Sequence, residues 1–410
     1  MKIRSLIHFT PLFCAAALLT ACSGAALPDG AVESQAAPTL EGEAIAPTLA
    51  ATAAPENFPT GVLVDIGNDT SLALFDPYGR QIATLETPGL LQASPETVIL
   101  AGSPISGDSS VSVIYHLPGS EGGLMLSAAG ESQMLRKDDA ILALAGTRSQ
   151  AAFAFSEFQL VDGIPHSKLF AGSTENAGAL DAFLQTSDAL TQSVLTPVGV
   201  NVVGESPIGV WYTHSAWGIG GQDLIFPITR GLYYFDLAAG RNRTYLDESR
   251  SFQGISPDLQ WAGSVSFEPQ ADRSMTVSPL LDGNEVNFPL KPESDRGAGY
   301  AVFSPDDRHI AWLEAGGSLT SDPPDFQATV RVGSLSDGTI EAEVDSAAAA
   351  QALNVEGIAF LKPAGWLDDH SLLLEARSLD WKQAYLLRFD LQSGELALFS
   401  QGSFLGFSYP

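Results

Sequence analysis

Tyr385-Leu386-Leu387-Arg388-Phe389-Asp390-Leu391-Gln392-Ser393-Gly394-Glu395-Leu396-Ala397-Leu398-Phe399 is the stretch from which the architecture can be read. Two apolar runs flank a turn that opens on aspartate and closes on glycine. The aspartate carboxylate accepts backbone N–H bonds where the chain reverses, and glycine supplies a positive φ near the end. So short a connection between apolar runs specifies a β-hairpin. The same arrangement recurs in Leu72-Ala73-Leu74-Phe75 followed by Asp76-Pro77-Tyr78-Gly79, and in Leu232-Tyr233-Tyr234-Phe235 followed by Asp236-Leu237-Ala238-Ala239-Gly240.

Weaker copies end at Gly130, Gly178, Gly283 and Gly338. From Gly79 to Gly394 the glycine spacings are 51, 48, 62, 43, 55 and 56 residues. A period near 50 with several strands per unit is the signature of propeller blades. Seven copies predict an all-β, seven-bladed propeller of four-stranded blades over residues 61–410. Six blades follow if the Gly178 region is an insertion. Asp181 to Leu195 and Asp345 to Leu353 fit short helical insertions.

A second series is offset from the first. Ile255-Ser256-Pro257-Asp258 precedes Trp261-Ala262-Gly263-Ser264-Val265, and Phe303-Ser304-Pro305-Asp306 precedes His309-Ile310-Ala311-Trp312-Leu313. Ser94-Pro95-Glu96, Ser206-Pro207 and Gly365-Trp366-Leu367-Asp368-Asp369 are less regular members. Each is expected to be a tight turn feeding a strand near the ring axis. The stretch from Phe303 to Trp312 resembles the Ser-Pro-Asp-Gly element of TolB-type, WD-repeat-like propellers, with Asp307 and Leu259 where that family has glycine. The resemblance implies the fold and is nearly silent on activity. The segment Phe404-Leu405-Gly406-Phe407-Ser408-Tyr409-Pro410 has no hairpin of its own, while Gly61 to Ile66 opens without a preceding turn. The expectation is that the C-terminal segment supplies the inner strand of the first blade and so removes an open edge.

Ahead of the repeats, Lys2 and Arg4 precede the apolar run Leu6 to Leu19, too short to span a bilayer at ~20 residues. Leu19-Thr20-Ala21-Cys22 resembles the lipobox of bacterial lipoproteins. It implies that residues 1–21 are a signal peptide and that Cys22 carries the lipid. Cys14 is the only other cysteine, so the mature domain has no disulfide of its own. Residues 22–60 then comprise the lipidated cysteine and an Ala/Pro/Thr-rich tether, with a span of about 35 Å if flexible. The expected location is extracytoplasmic, at a membrane surface.

With 20 Lys+Arg against 48 Asp+Glu, the net charge of −28 argues against nucleic acid and against electrostatic docking on anionic lipid. The charge itself favours a soluble, self-repelling monomer. Chemistry is sparse. His116, His166, His214, His309 and His370 lack ligand spacing, and no nucleophile elbow occurs. Asp306-Asp307 and Asp368-Asp369 read as solvated turns rather than a Ca²⁺ loop. Gly218-Ile219-Gly220-Gly221 lacks the helix a phosphate loop needs. No metal, cofactor or catalytic residue is assigned. Trp211, Tyr212, His214 and Trp217, beside those glycines, form a candidate ligand-binding loop suited to stacking on sugars or peptides; the alternative is that these rings pack between blades. The leading expectation is a non-catalytic binding or scaffold lipoprotein, with an envelope protein or glycan as partner. The alternative is an enzyme acting on polysaccharide or a small molecule through residues gathered in the central channel.

Overall fold

The computed structural model describes residues 58–409, except 68–70, 87–98, 105–110, 118–121, 129–130, 138–139, 148–151, 188–192, 217–224, 268–272, 293–294, 296 and 319–324. Cys22, the leader, most of the tether, Ser94-Pro95-Glu96, Gly130 and Trp217 therefore lie outside the described residues.

Seven four-stranded antiparallel sheets follow one another along the chain. The three outer strands of blade 1 are β1 (Gly61–Asp65), β2 (Ser71–Phe75) and β3 (Gln81–Glu86). Blade 2 holds β4 (Ile99–Pro104), β5 (Val111–Leu117), β6 (Gly123–Ala128) and β7 (Glu131–Lys137). Blade 3 holds β8 (Ile141–Gly146), β9 (Ala152–Val161), β10 (Ile164–Ser173) and β11 (Leu184–Ser187). Blade 4 holds β12 (Ser193–Val203), β13 (Ser206–Ala216), β14 (Thr229–Asp236) and β15 (Arg241–Leu246). Blade 5 holds β16 (Arg250–Ile255), β17 (Trp261–Ser266), β18 (Ser274–Pro279) and β19 (Val286–Pro289). Blade 6 holds β20 (Gly297–Phe303), β21 (His309–Gly316), β22 (Gln327–Ser334) and β23 (Ile340–Asp345). Blade 7 holds β24 (Ile358–Trp366), β25 (Ser371–Ser378), β26 (Ala384–Asp390) and β27 (Leu396–Gln401). The last strand, β28 (Ser403–Ser408), returns to blade 1 as its innermost member.

That return closes the ring. Gly61 pairs with Ser408, Val62 with Phe407 and Leu63 with Gly406, and the Thr60 amide donates to the Ser408 carbonyl at 2.8 Å. Each blade is covered on both sides, so its central strands are apolar on both faces. In β1, Val62 and Val64 pack against Leu373 and Leu386 of blade 7, while Leu63 packs against Val113 and Tyr115 of blade 2. Apolar clusters fill all seven blade-to-blade seams.

The turn chemistry explains the repeat. Asp390 Oδ1 accepts from the Ser393 amide and hydroxyl, both at 2.8 Å, and Gly394 sits at φ +73°. Those bonds hold the Asp390 carboxyl below the usual aspartate range. In the second series, Ser304 Oγ donates to Asp306 Oδ1 (2.6 Å) and accepts from the His309 amide (2.9 Å). Ser256, Asp258 and Trp261 repeat that pattern. Asp307 and Leu259 adopt φ of +55° and +60°, the left-handed conformation for which glycine is the usual residue.

Three expectations need correction. The Ser-Pro-Asp turns follow the innermost strand and lead into the second, so the strand nearest the axis lies before the motif. Ser206 and Pro207 belong to β13, and the turn ahead of them is Gly204-Glu205. Residues 181–195 form no helix among those described: a single 3₁₀ turn (Ala177–Ala179) precedes β11, and β12 begins at Ser193. Because β11 completes blade 3 beyond Gly178, the count is seven and the six-blade alternative falls. The other insertion is a helix, α1 (Ser346–Leu353), capped by Asp345 accepting from the Ala348 amide and ended by left-handed Asn354.

All seven innermost strands carry a bulge against their neighbour. A bulge adds twist and bends the strand, which suits sheets that must fan outward. Adjacent inner strands approach closely: a Cβ at Gly254 would lie 2.1 Å from the Ala301 carbonyl oxygen of the next blade. Both groups are fixed by strand backbone, so Gly254→Ala must push blades 5 and 6 apart. It is expected to cost about 1–3 kcal/mol, read as a lowered denaturant midpoint with unchanged far-ultraviolet dichroism.

Candidate functional site

The innermost strands are nearly free of acid–base groups. Among the described residues, β4, β8, β12, β16, β20, β24 and β28 contain no Asp, Glu, His or Cys, and their only charges are Arg250 and Lys362. Near blades 4 to 7 the inner region is occupied by aromatic contacts. Phe226 meets Tyr300 (6.1 Å), Tyr300 meets Phe360 (6.1 Å) and Phe360 stacks on Trp381 (6.0 Å). Tyr300 Oη donates to the Ile225 carbonyl at 2.8 Å, linking blades 4 and 6, which are not neighbours in the ring. Burial raises the Tyr300 pKa, helped by the Glu375 charge. Glu375 is itself flanked by Arg377 at 2.6 Å and Lys362 at 3.4 Å.

The candidate aromatic loop divides. Trp211 and Tyr212 are buried in β13, as the packing alternative has it. Trp211 lies between Tyr234 (4.9 Å) and Tyr245 (4.6 Å), and its Nε1 donates to Asn201 at 2.9 Å. Tyr212 stacks on Tyr233 at 5.3 Å. Burial pushes both phenols up to about 12, Asn242 opposing this at Tyr212 and Glu248 adding to it at Tyr233. His214 is half-buried in the same strand, 3.4 Å from Ser193 Oγ. Trp211 thus packs in the seam with blade 5 and Tyr212 in the seam with blade 3.

The two acidic pairs sit in turns. Asp368 Oδ1 accepts from the His370 and Ser371 amides. Asp369 is raised by burial and by Asp306 across the blade 6–7 seam. Among the described residues, no three His, Cys, Asp or Glu side chains converge as metal ligands would.

The feature that sequence reasoning missed lies on the side of blade 5 facing blade 4. Along β17 and β18, Val265, Met275 and Val277 turn toward blade 6 and its apolar cluster. The alternate residues turn the other way. They form a cross-strand row in which Ser264 pairs with Thr276 and Thr276 with Asn287. Thr276 Oγ1 donates to Asn287 Oδ1 at 2.8 Å. Ala262, two residues before Ser264, still packs in the blade 4–5 apolar cluster, so one seam is apolar at one end and polar at the other. The polar end is an open cleft of roughly 950 Å³. Its floor includes Ser264, whose Oγ is fully buried and has no partner among the described residues. Ser249, Ser266 and Ser274 add hydroxyls. Across the wall, Arg250 Nη1 donates to Ser278 Oγ (3.1 Å) and Glu285 Oε1 (2.7 Å), and Nη2 to Glu285 Oε2 (3.4 Å).

No protein-family model and no curated protein matches the chain. Similar solved structures include one from a study of two prolyl endopeptidases, with 8% identity and a TM-score of 0.54. The match covers 85% of this chain and 50% of that one. An oligogalacturonate lyase in complex with manganese shares 12% identity over 85% of both chains, with a TM-score of 0.48. TolB from Acinetobacter baumannii shares 13% identity over 70% of this chain and 63% of its own length, with a TM-score of 0.41. The present chain thus spans half of the endopeptidase and less than two thirds of that TolB. At such identities the likeness is one of propeller fold.

Burial alone would raise Glu285, but the bonds from Arg250 and Ser278 outweigh it and leave the carboxyl below the usual glutamate range. A depressed folded pKa contributes stability above the unfolded value and loses it as pH falls through the folded value. The unfolding midpoint of Glu285→Gln is therefore expected to vary less steeply than that of the parent between about pH 5 and pH 3, and Arg250→Met is expected to flatten the same window.

Proposed function

We propose that the protein is an extracytoplasmic lipoprotein, held at a membrane by acyl chains on Cys22, whose propeller is a binding module rather than an enzyme. The observation that carries this reading is the polar cleft on the side of blade 5 facing blade 4. It is an open, hydrogen-bonding surface set into a ring whose innermost strands offer no carboxylate or imidazole for acid–base chemistry. The channel-enzyme alternative calls for such groups at the axis and finds no support in those strands. The module acts as a monomer on an envelope glycan or protein and needs no nucleic acid or cofactor.

Anchoring is supported by the basic start, the apolar run to Leu19 and Leu19-Thr20-Ala21-Cys22. No helix among the described residues is long and apolar enough to cross a membrane. More than one acyl chain gives stable attachment where a single chain is marginal. Expression in a bacterium fed an alkyne fatty acid checks this directly. The parent chain is expected to take up the label and pellet with membranes until detergent is added, while Cys22→Ala is unlabelled. Absence of label from the parent, or equal labelling of the variant, contradicts the anchor.

A further inference from the structure

We infer that the polar cleft on the side of blade 5 facing blade 4 binds a neutral oligosaccharide; the inference rests on the binding-module reading and names the ligand class. Three features of the wall decide the chemistry. First, the row Ser264, Thr276 and Asn287 presents groups that both donate and accept, the match for an array of sugar hydroxyls. The buried, unpartnered Ser264 Oγ gains a bond when a ligand hydroxyl reaches it, and an unmet buried hydroxyl is costly.

Second, two of the three cations lining the cleft, Arg250 and Lys291, are held in ion pairs, and the third, Arg273, lies at its exposed side. Arg250 is forked onto Glu285, and Lys291 is bridged to Glu343. A forked guanidinium–carboxylate pair holds its planar groups still and leaves edges to which adjacent hydroxyls can bond. A polyanionic chain would instead approach a protein of net charge −28 and find Arg250 and Lys291 already committed to carboxylates. Neutral polyols face neither cost.

Third, size and shape select several rings over one. A cleft of roughly 950 Å³ stands at the upper end of the ~300–1,000 Å³ typical of small-ligand sites. Its apolar side chains are Pro289, Leu290 and Pro292, with no aromatic ring among the lining residues.

Calorimetry and saturation-transfer NMR on the full chain in detergent test this with linear tetrasaccharides of glucose and of N-acetylglucosamine, a uronic-acid tetrasaccharide, and inorganic phosphate. At least one neutral tetrasaccharide is expected to bind, and neither the uronate nor phosphate to displace it. Ser264→Ala and Thr276→Val are each expected to weaken binding about 3- to 10-fold. Ser264→Ala is also expected to leave the unfolding midpoint unchanged or raised, because it removes a hydroxyl with no protein partner. Binding of the uronate or phosphate alone, no binding of any neutral sugar, or affinity unchanged in both variants overturns the inference. A fluorescent thiol label on Asn287→Cys separates the two levels of the reading. Protection by an envelope protein but by no saccharide keeps the cleft as a binding site and overturns the sugar. Protection by neither overturns both.

Discussion

The pairing of β28 with β1 is the constraint on which the rest of the structure depends. Without it, blade 1 has three strands, and β1 exposes a row of backbone donors and acceptors along an edge otherwise buried. The cluster formed by Val62, Val64, Leu373, Leu386 and Phe399 also loses the strand that draws blades 1 and 7 together. In a linear array, end repeats require capping. Here the first and last strands cap each other, so every blade has two neighbours and every central strand can be apolar on both faces.

That rule makes the exception informative. β1, β21 and β25 read Gly-Val-Leu-Val, His-Ile-Ala-Trp-Leu and Ser-Leu-Leu-Leu, with continuous burial. In blade 5 the strands instead alternate, with serine or threonine at 264, 266, 274, 276 and 278 and asparagine at 287. A blade face this polar cannot be packed dry against a neighbour without leaving hydroxyls unmet. The seam therefore opens at one end and remains apolar around Trp211, Phe252 and Leu280 at the other. The cleft follows from composition on one face of one blade, while the surrounding apolar seams keep it in place.

Much of the fold was legible because the turns are local. Aspartate with glycine, and serine with proline and aspartate, fix their own backbone through bonds two to five residues away, so each turn can be read without its neighbours. The helix from Ser346 was legible for the same reason, with Asp345 at its cap ahead of four alanines. What failed depended on distant partners. Residues 181–195 alternate weakly, and β11 is a strand only because β10 pairs with it. For Trp211 and Tyr212 the glycines nearby left loop and seam both open, and consecutive large apolar residues in Val210-Trp211-Tyr212 are what a doubly covered strand requires. The cleft had a signal too, the period-two polarity of blade 5, recognisable once the other blades supply the contrast.

Amide hydrogen exchange resolved to single residues tests the closed ring most directly. If the account holds, the amides of Val62, Val64 and Phe404 to Ser408 exchange together, with protection equal to that of the blade 6 core around Ile310 and Trp312. Rapid, independent exchange of the 403–408 amides while blade 6 stays protected would contradict it.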